Sequence, residues 1–204
     1  MKNLKSISSV ILLVILGFAT SCTTKDEALD PALPKNQVAS SSSTTTPILN
    51  GTFTVLIDGQ LFTSNQNNAF KSVSTTNGIT SVSYSITGNL NDGANTKSIS
   101  IQFFEHVTNN YETGLSTNTS VGKGIISYVN NIVNPQANTY ISTNPNNPFV
   151  STGNIFVSSN STVTQKISGT FNCSVFLSDQ NTQTLIDTKV FTNGVFSNIY
   201  YTII

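Results

Sequence analysis

From about residue 50 onward, apolar and polar residues alternate one for one over short stretches. The longest run is Val163 to Leu177, VTQKISGTFNCSVFL. Val163, Ile167, Gly169, Phe171, Cys173, Val175 and Leu177 share one parity, while Thr164, Lys166, Ser168, Thr170, Asn172 and Ser174 take the other. A period of two predicts a strand with one buried and one wet face. Phe176 breaks the wet face, and Gly169 in mid-strand predicts a bulge or a close backbone approach. Val82, Tyr84 and Ile86 repeat the pattern, as do Ile99, Ile101 and Phe103, and GIISYVNNI and GNIFVSS are further strand candidates. No amphipathic helix is evident in this region, although HVTNNYETGL has room for one helical turn. Asx-Gly pairs punctuate the strands at Asp58-Gly59, Asn77-Gly78, Asp92-Gly93 and Asn193-Gly194. Both residues of such a pair accept the positive φ angles of a type I′ turn, so each predicts a hairpin. Residues 50–204 are therefore expected to be all-β, an antiparallel β-sandwich of eight to ten strands, with a partly open β-barrel as the alternative.

The chain before residue 50 has a different pattern. Lys2 and Lys5 precede the apolar run VILLVIL at 10–16, and the small residues Gly17, Ala19, Thr20 and Ser21 follow. That order reads as an export signal over residues 1–21. The run is far below the about 20 apolar residues that a membrane-spanning helix needs. ATSC at 19–22 resembles the lipobox of bacterial lipoproteins, with Ala19 where leucine is usual. The resemblance implies acylation of Cys22 and anchoring to the outer membrane. An ordinary secretory signal with an incidental cysteine is the alternative. Lys25, Asp26 and Glu27 look like the lysine-plus-acids signal that sends some Bacteroidota lipoproteins to the cell surface. A solvated charge cluster is the plain reading of the same three residues. Residues 22–49 are rich in Ser, Thr and Pro and too poor in apolar side chains to order themselves, so they read as a tether.

Composition narrows the partners. The 204 residues include nine lysines and no arginine against nine acids, and 9% of the chain is charged, where an average soluble domain has about 25%. Hydroxyls and amides carry the solubility. No basic face exists to neutralise phosphates, so nucleic acid is excluded as a partner. With Cys22 acylated, Cys173 has no disulfide partner. Cys173 lies on the apolar parity of its strand and reads as a core residue rather than a nucleophile. His106 is the only histidine. Beside Glu105, with Glu112 nearby, it is the one acid–base candidate, and the plain reading is a polar strand end. No metal or cofactor is expected, and GNLNDGANT at 88–96 fails the calcium-loop spacing because Gly88 occupies the first ligand position.

The C-terminal stretches KISGTF, 166–171, and TNGVFSNIY, 192–200, with the early FTVLIDGQLF, 53–62, resemble a family of uncharacterised Bacteroidota lipoproteins. The resemblance covers residues 50–204 and implies lipidation and a β domain, with no active site to carry over. Tyr111, Tyr140 and Tyr200 sit among Asn, Ser and Thr, a mixture that suits stacking and hydrogen bonding to sugars. They are the candidate ligand-binding residues. The irregular, proline-rich stretch 134–149 is the candidate functional loop. The functional expectation is a non-enzymatic, lipid-anchored domain that binds a glycan or an envelope protein. The alternative is an assembly component that pairs through its sheet edges, and a hydrolase ranks below both.

Overall fold

The computed structural model describes residues 50–93, 96–115, 117–118, 120–131, 139–179 and 181–204. The expected export signal, Cys22, Lys25 to Glu27, the expected tether and residues 134–138 of the proline-rich stretch lie outside the described residues. The described chain is all-β. Its eleven strands are β1 (Thr52–Ile57), β2 (Gln60–Thr63), β3 (Gln66–Thr76), β4 (Ile79–Asn91), β5 (Thr96–Phe104), β6 (Asn110–Thr113), β7 (Gly122–Val129), β8 (Thr139–Ile141), β9 (Gly153–Ser161), β10 (Lys166–Ser178) and β11 (Leu185–Ile203). Among the described residues there is no helix, and the stretch expected to hold a helical turn forms β6 instead. Its alternation of half-buried Asn110 and Glu112 with buried Tyr111 and Thr113 suits a strand.

All eleven strands join in one mixed sheet, in the order β2-β1-β11-β3-β4-β5-β7-β6-β9-β10-β8. Additional pairings of β11 with β10 and of β7 with β8 bend the sheet back on itself. The result is sandwich-like rather than a clean barrel. The β1–β2 hairpin hangs from β11 outside the closed circuit, and β8 bridges β7 and β10 across it. Two pairings, β3 with β11 and β6 with β7, are parallel. The all-β class is as the alternation predicts; the strand count and the two parallel pairings differ from the antiparallel expectation. Parallel neighbours need crossover connections, and a period of two carries no information about those.

The inner faces meet over an aromatic and β-branched core. Phe53, Ile86, Ile99, Ile101, Ile126, Ile155, Ile167, Phe196 and Ile199 are fully buried. Each such side chain contributes about 1.5–3 kcal/mol by leaving water. Phe53 lies 5.5 Å from Phe171, and Phe171 lies 6.5 Å from Phe191, centroid to centroid. Strand β10 keeps the expected parity, with Ile167, Gly169, Phe171, Cys173 and Val175 inside. It begins at Lys166, however, and Val163 stands 92% exposed in the turn before it. Gly169 does sit at a close approach, as expected: a Cβ there would come within 2.3 Å of the Phe156 carbonyl oxygen.

Three of the four Asx-Gly pairs lie between strands. Asp58-Gly59, at φ 49° and 80°, joins β1 to β2, and Asn77-Gly78, at φ 53° and 78°, joins β3 to β4. Asp92-Gly93 lies between β4 and β5. Asn193-Gly194 does not make a hairpin. It lies inside the 19-residue β11, where the pairing skips a residue against both neighbours. Phe171 pairs with Gly194 and Cys173 with Phe191, so two steps on β10 match three on β11. The extra residue is Asn193, at φ 53°. A second bulge follows at Asn198, also at φ 53°, between the pairs Gly169–Phe196 and Ile167–Ile199. Each bulge resets the parity, so Phe191, Gly194, Phe196, Ile199 and Tyr201 all face inward despite their uneven spacing.

Candidate functional site

The acid–base candidates are divided between two places: Glu105 and His106 line one open groove, while Glu112 lines a separate depression. His106 Nδ1 lies 2.9 Å from Thr108 Oγ1, and the His106 backbone N–H donates to the Tyr111 hydroxyl at 3.3 Å. Thr108 Oγ1 in turn donates to the Asn110 carbonyl at 3.1 Å. The histidine thus fastens the loop between β5 and β6. Glu112 accepts from Asn118 Nδ2 at 3.1 Å and lies 3.9 Å from Lys123 Nζ. Burial lowers the Lys71 ammonium, but its hydrogen bond to Tyr84 and the Glu105 charge outweigh that and raise it overall. Cys173 is buried in the core, and burial pushes its thiol far above the usual range, which leaves it no nucleophilic thiolate. Among the described residues no three His, Cys, Asp or Glu side chains come together to hold a metal ion.

The three candidate tyrosines lie on three separate strands, and two of them are core residues. Tyr111 on β6 is 2% exposed, with its ring centroid 4.4 Å from that of Phe103. Tyr140 on β8 is 6% exposed and packs 5.5 Å from the Tyr128 ring. Its hydroxyl donates to Asp187 Oδ2 at 2.8 Å, and burial together with that carboxylate pushes it up to about 12. Both rings alternate with wetter neighbours and so turn inward, which corrects the reading of Tyr111 and Tyr140 as a ligand platform. Tyr200 is exposed, but its hydroxyl bonds Gln165 and its backbone N–H donates to Asn50 Oδ1 at 2.7 Å.

A charge cluster ties the strand ends below Tyr140. Lys189 Nζ lies 3.0 Å from Asp187 Oδ2 and 3.2 Å from Asp58 Oδ2, and Asp58 Oδ1 accepts from the Val190 N–H at 2.8 Å. The Tyr140 hydroxyl and Lys189 hold the Asp187 carboxyl below its ordinary range. Each member has its partner within the cluster, an arrangement that locks the β1–β2 turn and β8 to β11.

The described residues include two surface depressions of a size to receive a ligand. The first, about 580 Å³, is an open groove between the far end of β4 and the β5–β6 loop, with Val82, Phe104, Glu105, His106, Val107 and Asn109 on its walls. The second, about 340 Å³, lies on the outer face of β6, β9 and β10. Asn110, Glu112, Ser151, Asn154 and Asn172 line it, with the backbone of Gly153. Phe156, opposite Asn110 in the β6–β9 register, stands 47% exposed. The side-chain amides of Asn154 and Asn172 make no hydrogen bond among the described residues. By contrast, Asn160 on the same β9 strand donates from Nδ2 to the Tyr84 hydroxyl at 2.8 Å.

Sequence reasoning missed these residues, although a signal was present. In NIFVS, Ile155 and Val157 claim the core parity, so Phe156 must face outward beside Asn154. The described part of the proline-rich stretch after β8 places Phe149 at the surface, away from the lining of either depression. No protein family, curated protein or solved structure matches this chain.

Proposed function

We propose that this chain is an exported, lipid-anchored envelope domain that binds glycan through the amide-lined depression and performs no chemistry of its own. One observation carries the reading. Asn110, Asn154 and Asn172 surround a carboxylate, Glu112, with an exposed phenyl ring alongside. Amides donate and accept at once, as sugar hydroxyls require, while an aromatic face takes the apolar face of a pyranose ring. The order of lysines, apolar run, small residues and Cys22 supports the anchor. Several acyl chains, each contributing about 0.8 kcal/mol per buried methylene, give stable attachment where a single chain does not. Lys25, Asp26 and Glu27 support display at the cell surface.

The test uses the full chain purified in detergent and a panel of host and bacterial glycans. A ligand that binds only the folded state raises the melting temperature, by about 2.7 kcal/mol of added stability at a hundredfold excess over Kd. The expected result is a saturable rise for one glycan class that Asn154→Ala and Phe156→Ala each remove. A rise untouched by either substitution would move the site elsewhere. Replacement of Cys22 by alanine is expected to abolish fatty-acid incorporation and release the protein from the membrane fraction.

A second reading, assembly through sheet edges, rests on the β3–β4 hairpin. Strand β4 runs on past its last β5 partner, Ser83, to Ile79, which is 74% exposed. Beyond the Val82 carbonyl, which accepts from the Glu105 N–H at 2.8 Å, residues 79–81 offer an open edge to another strand. A stoichiometric protein crosslinked to residues 79–82, with every glycan silent, would favour it.

A further inference from the structure

The depression is one end of a longer feature. Asn154 on β9 pairs directly with Asn172 on β10. Asn172 in turn lies between the pairs Phe171–Gly194 and Cys173–Phe191, so it faces the two bulge residues Thr192 and Asn193 on β11. All four are exposed. One rung along, Phe156 pairs with Thr170, and Thr170 with Val195, again all exposed. The outer surface therefore carries two adjacent rungs across the same three strands. One is built from amides, and the other runs from phenyl through hydroxyl to isopropyl.

The bulge is part of this pattern. Without the extra residue in β11, the inward parity of Phe191 would put Asn193 in the core and Gly194 outside. Bulges recur beside functional sites because they re-aim a side chain in this manner. The contrast within β11 is also informative. At the second bulge Asn198 is bonded on both counts, its backbone N–H donating across to Ser168 Oγ at 2.8 Å and its Nδ2 to the neighbouring Ser197 Oγ at 3.3 Å. Asn193, like Asn154 and Asn172, has no side-chain hydrogen bond among the described residues.

We infer that the binding site spans β9, β10 and the β11 bulge, and that its ligand is an oligosaccharide laid across the strands rather than a single sugar held in the depression. This rests on the glycan reading above. Neighbouring strands lie about 4.8 Å apart, so the three amides span roughly 10 Å, more than one pyranose ring covers. Hydroxyls along one edge of the saccharide meet Asn154, Asn172 and Asn193 in turn. Its ring faces rest over Phe156 and Val195.

The test is a chain-length series titrated into the full chain in detergent: glucose and N-acetylglucosamine, then the linear di-, tri- and tetrasaccharides of the cello-, malto- and chito- series. For the series that binds, affinity is expected to rise from one unit to three and then level off. Asn193→Gly keeps the left-handed backbone and removes only the amide. It is expected to weaken trisaccharide binding about tenfold, the worth of one hydrogen-bonded amide, and to leave monosaccharide binding unchanged. Equal affinity for one and three units, or a trisaccharide indifferent to Asn193→Gly, would overturn the extended site and leave the depression as the whole of it. Binding by no member of any series, with the protein folded, would overturn the glycan reading beneath it.

Discussion

Asn77-Gly78 and Asn193-Gly194 are the same dipeptide in two different structures. In both, the asparagine backbone is left-handed, at φ 53°. At residue 78 the glycine is left-handed too, and a Cβ there would meet nothing within 4 Å. The chain reverses, and β3 pairs with β4 immediately on either side. Gly194 does not share that conformation, and a Cβ on it would come within 2.6 Å of both Phe171 Cε1 and the Phe171 carbonyl oxygen. The chain runs straight on, gaining one residue against both neighbours. The first glycine is required by its own torsion angles, the second by the ring and carbonyl of Phe171 packed over it. What decides is the surroundings: the first pair stands at the end of a two-stranded ribbon, the second between β1 and β10.

The largest test of that contrast is Gly194→Ala. The added methyl overlaps Phe171, and overpacking of a well-filled core costs about 1–3 kcal/mol, with the upper end expected here. Chemical denaturation should show the loss, and a second change, Phe171→Leu, should recover part of it. A neutral Gly194→Ala would mean that both the ring and the backbone of Phe171 are free to withdraw. Gly78→Ala should cost about 1 kcal/mol, because a left-handed alanine is strained in open space. No partner change near residue 78 should rescue it. Asp58→Asn retains a residue that tolerates the third Asx-Gly turn and deletes the Lys189 ion pair. Both charges are partly exposed, so the loss should be at most about 1 kcal/mol and should shrink in high salt.

The smallest effect concerns pH. Asp187 is held down by the Tyr140 hydroxyl and Lys189. Its contribution to stability is therefore intact above the ordinary carboxylate range and is lost as pH falls through its lowered value. Tyr140→Phe should move the Asp187 carboxyl titration, followed by NMR, back towards that range. It should also shrink the Asp187 share of the acid loss of stability, which still begins at the ordinary carboxylate range but is complete at a higher pH. An unmoved titration would assign the shift to Lys189 and the Thr188 N–H, which donates to Asp187 Oδ1 at 2.8 Å.

These particulars show how far the sequence could be read. Alternation was enough for the all-β class and for the inward faces of β4, β5 and β10, because burial on one face leaves a period of two in the residues themselves. Asp58-Gly59 and Asn77-Gly78 were legible as turns because the chain on both sides can pair locally. The bulge at Asn193 was not, since a left-handed Asx residue serves a turn and a bulge equally well, and only the distant β1 and β10 choose between them. Tyr111 and Tyr140 were misplaced because strands of four and three residues are too short for parity to show. The amide rung takes one residue from each of the three successive strands β9, β10 and β11, so only their register, shifted by the bulge, could reveal it. Phe156 alone carried a local mark, as an aromatic on the wet parity of its strand.

Strand β11 has one further consequence, for the order of assembly. It is the last strand of the described chain, yet β1, β3 and β10 all pair with it. A ribosome delivers β1 first and β11 last, so β1 spends nearly the whole of synthesis without the neighbour that joins it to the sheet. Contacts between such distant parts of a chain make folding slow, because the intervening segment must be confined before any pairing rewards it. The nascent domain is thus an incomplete sheet with open edges, a target for chaperones and for aggregation, until its final strand arrives.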